Sequence, residues 1–509
     1  MQISLTQKTP LKFIQYCVGA LTIVFILSLA LFFQITINQI FALSFSLIVC
    51  GLWFHNKVYG LTSALIFFLI KPFWLRLAYD IDMSLYGNSG FDLLGITPTI
   101  ILVGFISTHI YFSILEKKKL CPDRTRILIA LFSTLCFISI FFPTNSIVIG
   151  LGGFQRNILP NMLILFLSLV IYKTEKDILF LTKTLSVVGL ITIIYGIGQF
   201  IVGIFPWEIL WMKNVGFANS TAGWLTIGIR GIEFRIFSMF YYRTDFFFTN
   251  VLIFTLLITY AKSFTGYMKF VKIAYYILWF VMMIITFERT PFIMSALAIA
   301  ISYYLNASKP KKKLILTVTF SVTILLYSTL LIFEPYLKSS GIDSLIRLAE
   351  MTNPLEAGSI HDRTDNYWGP AIDVIKANPM GVGIGNASAT KVSGQLNFAD
   401  TGSIHTHNEI LQKVFETGYF GGLLFLILMI SILLDSIHIT GIQNTKNKFG
   451  NAMTTCTLVF MMSSMITLTF SGGRGLTYWL FVGIMLSIKD KNTKSLTEIK
   501  YTEKMYETA

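Results

Sequence analysis

The sequence predicts an all-α protein that crosses a membrane many times, and three observations support this prediction. The chain of 509 residues is 54% hydrophobic and only 13% charged, whereas charged residues make up about 25% of soluble domains. Apolar windows of about 20 residues recur along the whole length, each long enough to cross a hydrocarbon core of about 30 Å as a helix. Lysines cluster in the short segments between these windows, as the positive-inside rule requires.

A solution with about 14 spans and both termini in the cytoplasm places every Lys-rich loop on one side of the membrane. The first apolar run, residues 13–33, is longer than the apolar region of a signal peptide, so it is interpreted as the first span. Span 3 is short and is predicted to end before Pro72, so the predicted number of spans is 14, plus or minus two. The predicted spans are residues 12–34, 36–54, 57–71, 96–115, 127–142, 158–172, 178–203, 246–261, 272–287, 291–306, 313–333, 418–437, 452–470 and 475–488.

These spans divide the chain into four regions. Residues 1–333 and 418–488 are predicted to form the N-terminal and C-terminal parts of a transmembrane bundle. Residues 334–417 would be a large loop outside the cytoplasm between spans 11 and 12, and residues 489–509 a basic cytoplasmic tail. The net charge of +14 lies mainly beside apolar helices, so we expect the lipid bilayer as a partner and no nucleic acid.

The arginines are distributed differently from the lysines. Only six of the 29 lysines are predicted to lie outside the cytoplasm, whereas most arginines are predicted to lie there. The positive-inside rule cannot explain this difference, because it would keep both residue types on the cytoplasmic side. Arginine presents a planar fork of donors that matches phosphate oxygens. The pattern predicts a phosphate-bearing ligand at the outer face, with lipid headgroups or helix capping as the alternative. Nine of the eleven arginines lie there: Arg76, Arg156, Arg230, Arg235, Arg243, Arg289, Arg347, Arg363 and Arg474.

Two of these arginines interrupt apolar sequence. The run from 273 to 306 is too long for one helix, so it is predicted to turn at Glu288-Arg289-Thr290-Pro291. Arg474 lies in a glycine-rich turn, residues 472–475. An arginine in mid-bilayer costs about 2.5–3.5 kcal/mol on insertion scales. Functional positions and ordinary interfacial turns both fit this pattern.

The outer loop ends in His405-Thr406-His407-Asn408, directly before an apolar helix. Asn408 is a favourable N-cap, which places His407 at the helix start, facing an extracytoplasmic cavity. A histidine there can act as a base near neutral pH. The alternatives are a purely structural histidine, or a zinc site formed with His361 and His405, which no carboxylate or cysteine spacing supports.

Glycines in and after this loop predict close packing. Gly418, Gly421 and Gly422 would let the following helix approach its neighbours. The run Gly381-Val-Gly383-Ile-Gly385 lacks the spacing of a nucleotide loop and is interpreted as a turn or close-packing site. Residues 362–377 are predicted to form a short helix that ends before Pro379.

Several of these residues form a recognisable pattern. His407-Asn408 is followed, after nine residues, by Gly418-x-x-Gly421, and Arg363, Trp368 and Pro379-Met-Gly381-Val-Gly383 lie upstream. Over residues 220–440 the chain resembles the bacterial O-antigen polymerase/O-antigen ligase superfamily, glycosyltransferases of the inner membrane that use undecaprenyl-diphosphate-linked glycans. Arg235-x-x-Ser238-x-Phe240 and Arg289 resemble the family's two phosphate-facing arginines, although Glu288-Arg289-Thr290 replaces the usual Ser-Arg-Gly.

The resemblance implies a GT-C-like fold, a periplasmic active site and a role in lipopolysaccharide biosynthesis. His407 would be the general base, and Arg235, Arg289 and Arg363 would bind the diphosphate. Glu416, Arg474 and Asn408 are secondary candidates. No cofactor is expected, and no nucleotide-sugar site is needed, because the donor arrives lipid-linked. No metal is expected either, because no D-x-D motif is identified.

The larger number of spans favours a polymerase that joins lipid-linked repeat units. A ligase that transfers the finished glycan to lipid A–core is the alternative within the class. A lipid-linked glycan flippase or other transporter is the alternative from another class, although inverted repeats and midplane charges, which typify transporters, are not evident. The expected partners are an undecaprenyl-diphosphate-linked oligosaccharide and, in addition, a chain-length regulator.

Overall fold

The chain folds into a bundle of long helices. The computed structural model describes residues 36–85, 93–115, 123–142, 146–214, 225–228, 231–234, 236–240, 243–286, 289–340, 349, 352, 363–386, 406–441, 448–465, 467–468 and 472–507. Its helices are α1 (Ile37–His55), α2 (Lys57–Leu85), α3 (Leu93–Leu115), α4 (Arg124–Ile138), α5 (Ile147–Asn157), α6 (Leu159–Ile171), α7 (Glu175–Val202), α8 (Pro206–Asn214), α9 (Arg243–Thr259), α10 (Tyr267–Thr286), α11 (Arg289–Asn306), α12 (Lys309–Ser339), α13 (Gly369–Ala377), α14 (Glu409–Gly441), α15 (Lys448–Ser464) and α16 (Gly472–Glu507).

The helices confirm the predicted class, an all-α polytopic membrane protein. Each predicted span from residue 36 onward lies largely on a helix, whereas span 1 lies outside the described residues. The number of 14 crossings stays a prediction. Among the described residues, seven helical stretches are long and apolar enough to cross a membrane: Ile37–His55, Lys57–Met83, Arg124–Phe141, Ile147–Ile171, Glu175–Val202, Tyr267–Thr286 and Glu409–Thr440.

The distribution of polar and apolar surface also indicates a membrane protein. Large apolar side chains cover the outside, with Phe54 80% and Phe270 75% exposed, while Arg76, Glu208 and Lys413 are buried. Soluble monomers rarely expose apolar patches larger than a few hundred Å². This surface therefore suits contact with lipid.

The prediction that span 3 ends before Pro72 is wrong. Helix α2 continues through Pro72 to Leu85, because its second half is held by tertiary contacts. The Asp82 carboxylate accepts the backbone N–H groups of Ile37 and Asn38 at 2.5 and 3.2 Å. Asp80-Ile-Asp82 has the spacing of a D-x-D metal motif, which the sequence reasoning missed, but Asp82 serves here to cap α1.

The described residues also include a short β-hairpin. Strands β1 (Leu225–Gly228) and β2 (Gly231–Phe234) pair antiparallel, with Leu225 opposite Phe234. The sequence did not predict this hairpin. It directly precedes Arg235 in the chain.

Small residues let the central helices approach closely. Helix α16 packs against α6, and a Cβ added at Gly483 would lie 1.9 Å from Ser168 Oγ and 2.3 Å from the Leu165 carbonyl oxygen. Such contacts depend on the absence of a side chain, as is common between membrane helices.

A polar network joins three helices at the end of the bundle far from His407. Lys489 Nζ lies 2.7 Å from Asp123 Oδ1 and 2.8 Å from Asp435 Oδ1. The Thr125 hydroxyl donates to Asp435 Oδ2 at 2.6 Å. These contacts connect the start of α4, the last part of α14 and the middle of α16. Arg124 and Arg126, which were predicted to face the cytoplasm, lie at this end, where they contact Ser431 and Asp490.

Candidate active site

A break in helix α14 organises the predicted site. Gly418 has φ 74° and ψ 179°, a conformation that essentially only glycine adopts. Because of this break, the Tyr419 N–H donates to the Pro379 carbonyl at 3.1 Å, outside the helix. The carbonyls of Phe415 and Glu416 then accept from other backbone groups.

Those donors come from the glycine-rich segment of the outer loop. Val382 N–H donates to the Phe415 carbonyl and Gly383 N–H to the Glu416 carbonyl, both at 2.9 Å. We call this pairing of residues 379–385 with residues 415–419 the glycine junction. A Cβ at Gly381 would lie 2.4 Å from the Gly418 nitrogen. The predicted close-packing role of the glycine segment is confirmed.

The glycines of the segment adopt a conformation that side chains disfavour. Gly381, Gly383 and Gly385 have φ of 91°, 93° and 93°, in the region that glycine reaches without strain. A Cβ at Gly385 would also lie 2.6 Å from the Ile149 carbonyl oxygen of α5. The segment is thus fixed between α5 and α14.

Buried charges support the same junction. Glu416 Oε1 accepts from the Gly385 N–H at 3.1 Å and from Gln412 Nε2 at 3.2 Å. Lys413 Nζ lies 3.2 Å from Glu409 Oε1 and 3.6 Å from Glu416 Oε2, and all three side chains are nearly inaccessible. Glu416, a secondary candidate, therefore holds the glycine segment in place.

His407 lies at the start of α14 in a strained backbone conformation. Its φ of 45° is one of two positive values for non-glycine residues in the described part of the chain, and such outliers tend to occur at functional sites. Its ring meets the Tyr367 ring edge to face, with centroids 4.7 Å apart. The side chain is half-buried. These contacts limit the orientations that the imidazole can take.

Asn408 fixes the backbone beside His407. Its Oδ1 accepts the Leu411 N–H at 2.9 Å, which is an N-cap contact, and its Nδ2 donates to the Met465 carbonyl at 2.9 Å. The first contact confirms the predicted N-cap. The second ties the start of α14 to the end of α15. Both contacts give Asn408 a positioning role.

The helical segment that carries Arg363 packs against α14. A π-helical turn, Thr364–Trp368, leads directly into α13, as predicted for residues 362–377. Ala371 and Ile375 of α13 form an apolar cluster with Val382 and Phe415. This packing brings Tyr367 to His407, and Arg363 precedes Tyr367 by about one turn. The structure thus brings the segments of two predicted site residues together.

Other predicted residues are only partly described. The helical hairpin predicted around residues 288–291 is confirmed by the end of α10 at Thr286 and the start of α11 at Arg289. The side chain of Arg289, all of Arg235, and the histidines 361 and 405 lie outside the described residues. Among those described, no three His, Cys, Asp or Glu side chains are placed to hold a metal ion. The metal-independent reaction stays a prediction.

Arg474 has a buried acidic partner. It lies in the first turn of α16, and its Nε is 3.0 Å from Asp245 Oδ1 of α9, with both side chains less than 10% exposed. Gly472, with φ 66°, allows the turn that leads into this helix. The ion pair fastens two helix starts together, so the structure gives Arg474 a contact within the protein.

Sequence reasoning missed a second buried ion pair. Arg76 Nη1 lies 3.5 Å from Glu208 Oε1, with side chains 1% and 0% exposed. Arg76 was counted only among the outer arginines, and neither Glu208 nor Lys413 was singled out. The spacing of Glu409, Lys413 and Glu416 on one helix was an available signal. Nothing local indicated that α2 and α8 would meet.

The part of the chain that carries these residues also matches a known protein family. Residues 274–426 match a family model described as O-Antigen ligase. The matched part runs from α10 to the first half of α14 and contains Arg289, Arg363, His407 and the glycine junction. No curated protein sequence matches the chain. The match covers roughly 30% of the chain and, in a helical membrane protein with this arrangement, supports its assignment to the O-antigen polymerase/O-antigen ligase superfamily of glycosyl-transferring enzymes.

Proposed function

We propose that this protein is a polysaccharide polymerase that acts on the periplasmic side of the bacterial inner membrane. It would transfer a growing glycan from undecaprenyl diphosphate to a hydroxyl group of another lipid-linked repeat unit. The observation that carries the proposal is the glycine junction, which brings His407, Tyr367 and the Arg363 segment to one end of α14. The family match supports lipid-linked glycan processing.

The proposed reaction is a direct displacement at the sugar C1. Neutral His407 removes the proton from the acceptor hydroxyl, and the oxygen forms a bond to C1. The bond between C1 and the phosphate oxygen breaks, and its electron pair leaves on undecaprenyl diphosphate. The configuration at C1 inverts. The proton on His407 then passes to the solvent or to the released diphosphate.

Arginines would stabilise the departing charge. Arg235, Arg289 and Arg363 are the proposed diphosphate ligands, because a guanidinium can donate two parallel hydrogen bonds to phosphate oxygens. Fixed donors of this kind act where negative charge develops in the transition state. The reaction needs no nucleotide-sugar site, because the donor is lipid-linked.

The purified protein, given only undecaprenyl-diphosphate-linked repeat units, tests the proposal. A polymerase converts them into a ladder of longer lipid-linked glycans, because donor and acceptor belong to the same class of molecule. Electrophoresis of the released glycans measures the ladder. No change in chain length under these conditions would contradict the polymerase assignment.

Ligation is the second candidate, because the matched family model is described as O-Antigen ligase. A ligase leaves the repeat units unchanged until lipid A–core is added, and then transfers the glycan to it. Product that forms only with lipid A–core would replace the polymerase assignment and retain the proposed roles of His407 and the arginines.

A further inference from the structure

Ser238 is held by an unusual number of contacts. It has φ 56°, is fully buried, and its three polar atoms bond to two different helices. Its N–H donates to Gln199 Oε1 of α7 at 2.8 Å, and its hydroxyl donates to the Thr192 carbonyl of the same helix at 2.5 Å. Its carbonyl accepts from Arg76 Nη2 of α2 at 2.9 Å. Glu208 of α8 joins this network through Gln199 and Arg76. A strained conformation persists only where the surroundings enforce it.

Arg76 is the centre of this arrangement. Its guanidinium pairs with Glu208 and lies 4.4 Å from the centroid of the Phe237 ring. It therefore contacts two consecutive residues of the segment 236–240, one through a hydrogen bond and one through a cation–π contact.

Glu208 closes the network. Gln199 Nε2 donates to Glu208 Oε2 at 2.9 Å, and the Tyr195 hydroxyl donates to Glu208 Oε1 at 2.9 Å. Gln199 thus bonds both Ser238 and the carboxylate that pairs with Arg76. The charge of Arg76 is balanced inside the protein, so its contacts serve the neighbouring backbone.

Residues 236–240, which these contacts hold in place and which we call the held segment, directly follow Arg235 in the chain. Ser238 stands three residues after Arg235 and five before Arg243, and the hairpin of β1 and β2 precedes Arg235. We propose that Arg76, with Gln199 and Glu208, positions the segment 236–240 and so places Arg235 for the diphosphate of the substrate. Arg76 is a positioning residue. This proposal rests on the proposed function.

The test compares Arg76→Lys, Arg235→Ala and the double variant in binding of undecaprenyl diphosphate. Lysine keeps a charge opposite Glu208 but cannot also supply the planar fork that reaches the Ser238 carbonyl. We expect Arg76→Lys to weaken binding about tenfold, and the double variant to bind no more weakly than Arg235→Ala alone. Arg126→Lys, the same change at the far end of the bundle beside Asp490, is the control and should bind like the parent.

A structural readout accompanies the binding. Met239, half-buried in the held segment, is replaced by cysteine in a background without native cysteines, and its rate of maleimide labelling is measured. Arg76→Lys should raise this rate about tenfold, because the segment opens more often. If Arg76→Lys does not accumulate, Gln199→Met, which removes another contact of Ser238, should produce the same rise.

The outcomes separate the two proposals. Unchanged labelling in a folded Arg76→Lys protein, or additive losses of binding in the double variant, would overturn the positioning role alone. A parent protein that does not bind undecaprenyl diphosphate would overturn the proposed function, and the positioning role with it.

Discussion

At the scale of single residues, the proposed site is characterised by side chains and backbone groups whose conformations are restricted by their contacts. His407 has a positive φ and an edge-to-face contact with Tyr367. The side-chain amide of Asn408 forms hydrogen bonds through both its oxygen and its nitrogen. A base held in one orientation avoids the entropic cost of finding that orientation during the reaction. The contacts around His407 are therefore consistent with catalysis by positioning.

Replacement of His407 by alanine should abolish glycan transfer while the protein remains in the membrane. Loss of a general base costs typically 10²- to 10⁴-fold in rate. His438→Ala, an exposed histidine later in the same helix, is the matched control. The transfer assay described above measures both variants.

Product at the parental level from His407→Ala would remove His407 from the mechanism. A chelator should leave the parent protein active. Complete inhibition that Zn²⁺ reverses would instead favour a metal site of His361, His405 and His407.

Arg235→Lys and Arg289→Lys should each lower kcat/KM by roughly 10- to 100-fold, or about 1.4–2.7 kcal/mol. The physical reason is that a point charge replaces a fork that donates two parallel hydrogen bonds. Steady-state kinetics with the lipid-linked donor measures the effect. Normal activity in both variants would show that these arginines serve topology or capping.

At the scale of elements, the glycine junction and the helix contacts depend on backbone approach. The break at Gly418 supplies the carbonyls that bind the glycine segment, and the close contact of α6 with α16 depends on Gly483. Both are places where a side chain has no room. Substitutions there test the elements one at a time.

Gly418→Ala should lower activity strongly. The new Cβ would lie 2.5 Å from the Met380 carbonyl carbon, at a φ of 74°, so the glycine segment must move or α14 must straighten. Gly104→Ala, in α3 with no atom within 4 Å of its Cβ, is the control and should preserve activity. Protection of residues 379–385 from proteolysis reports on the junction, and unchanged protection with full activity would argue against its role.

Gly483→Val should destabilise the bundle by roughly 1–3 kcal/mol or more, because an inserted side chain overpacks the α6–α16 contact. The thermal unfolding temperature in detergent measures the change. An unfolding temperature equal to that of the parent would mean that α6 and α16 can separate without cost.

At the scale of the whole molecule, polar groups collect at the two ends of an apolar bundle. The glycine junction, His407 and the Arg363 segment lie at one end of α14, and the network of Lys489, Asp123 and Asp435 lies near the other. More than 20 residues of α14 separate Glu409 from Asp435, which suffices to cross the hydrocarbon core. The arrangement suits a reaction at one membrane surface.

Met380→Cys should react with a membrane-impermeant thiol reagent added outside the inner membrane, and Lys494→Cys only after the membrane is opened. Met380 is 73% exposed beside the glycine junction, and the sequence predicts residue 494 in the cytoplasmic tail. Labelling in spheroplasts that lack native cysteines makes the measurement. The reverse pattern would place the site on the cytoplasmic side.

The sequence by itself determined the class of the protein, because hydrophobic length, lysine position and helix-capping residues are local properties. It also determined the N-cap at Asn408, the turn before Pro291 and the close packing of the glycine segment, since each follows from a few adjacent residues. It predicted His407 as a site residue through its position at a helix start.

Only the tertiary structure decided which elements meet. Helix α2 continues past Pro72 because Asp82 binds the start of α1. Arg76 forms an ion pair with Glu208, which lies more than 100 residues away in the sequence. Arg474 pairs with Asp245, and Gly383 bonds the backbone of Glu416. A local pattern shows that a charge or a glycine needs a neighbour, but the identity of that neighbour depends on how all the helices pack at once.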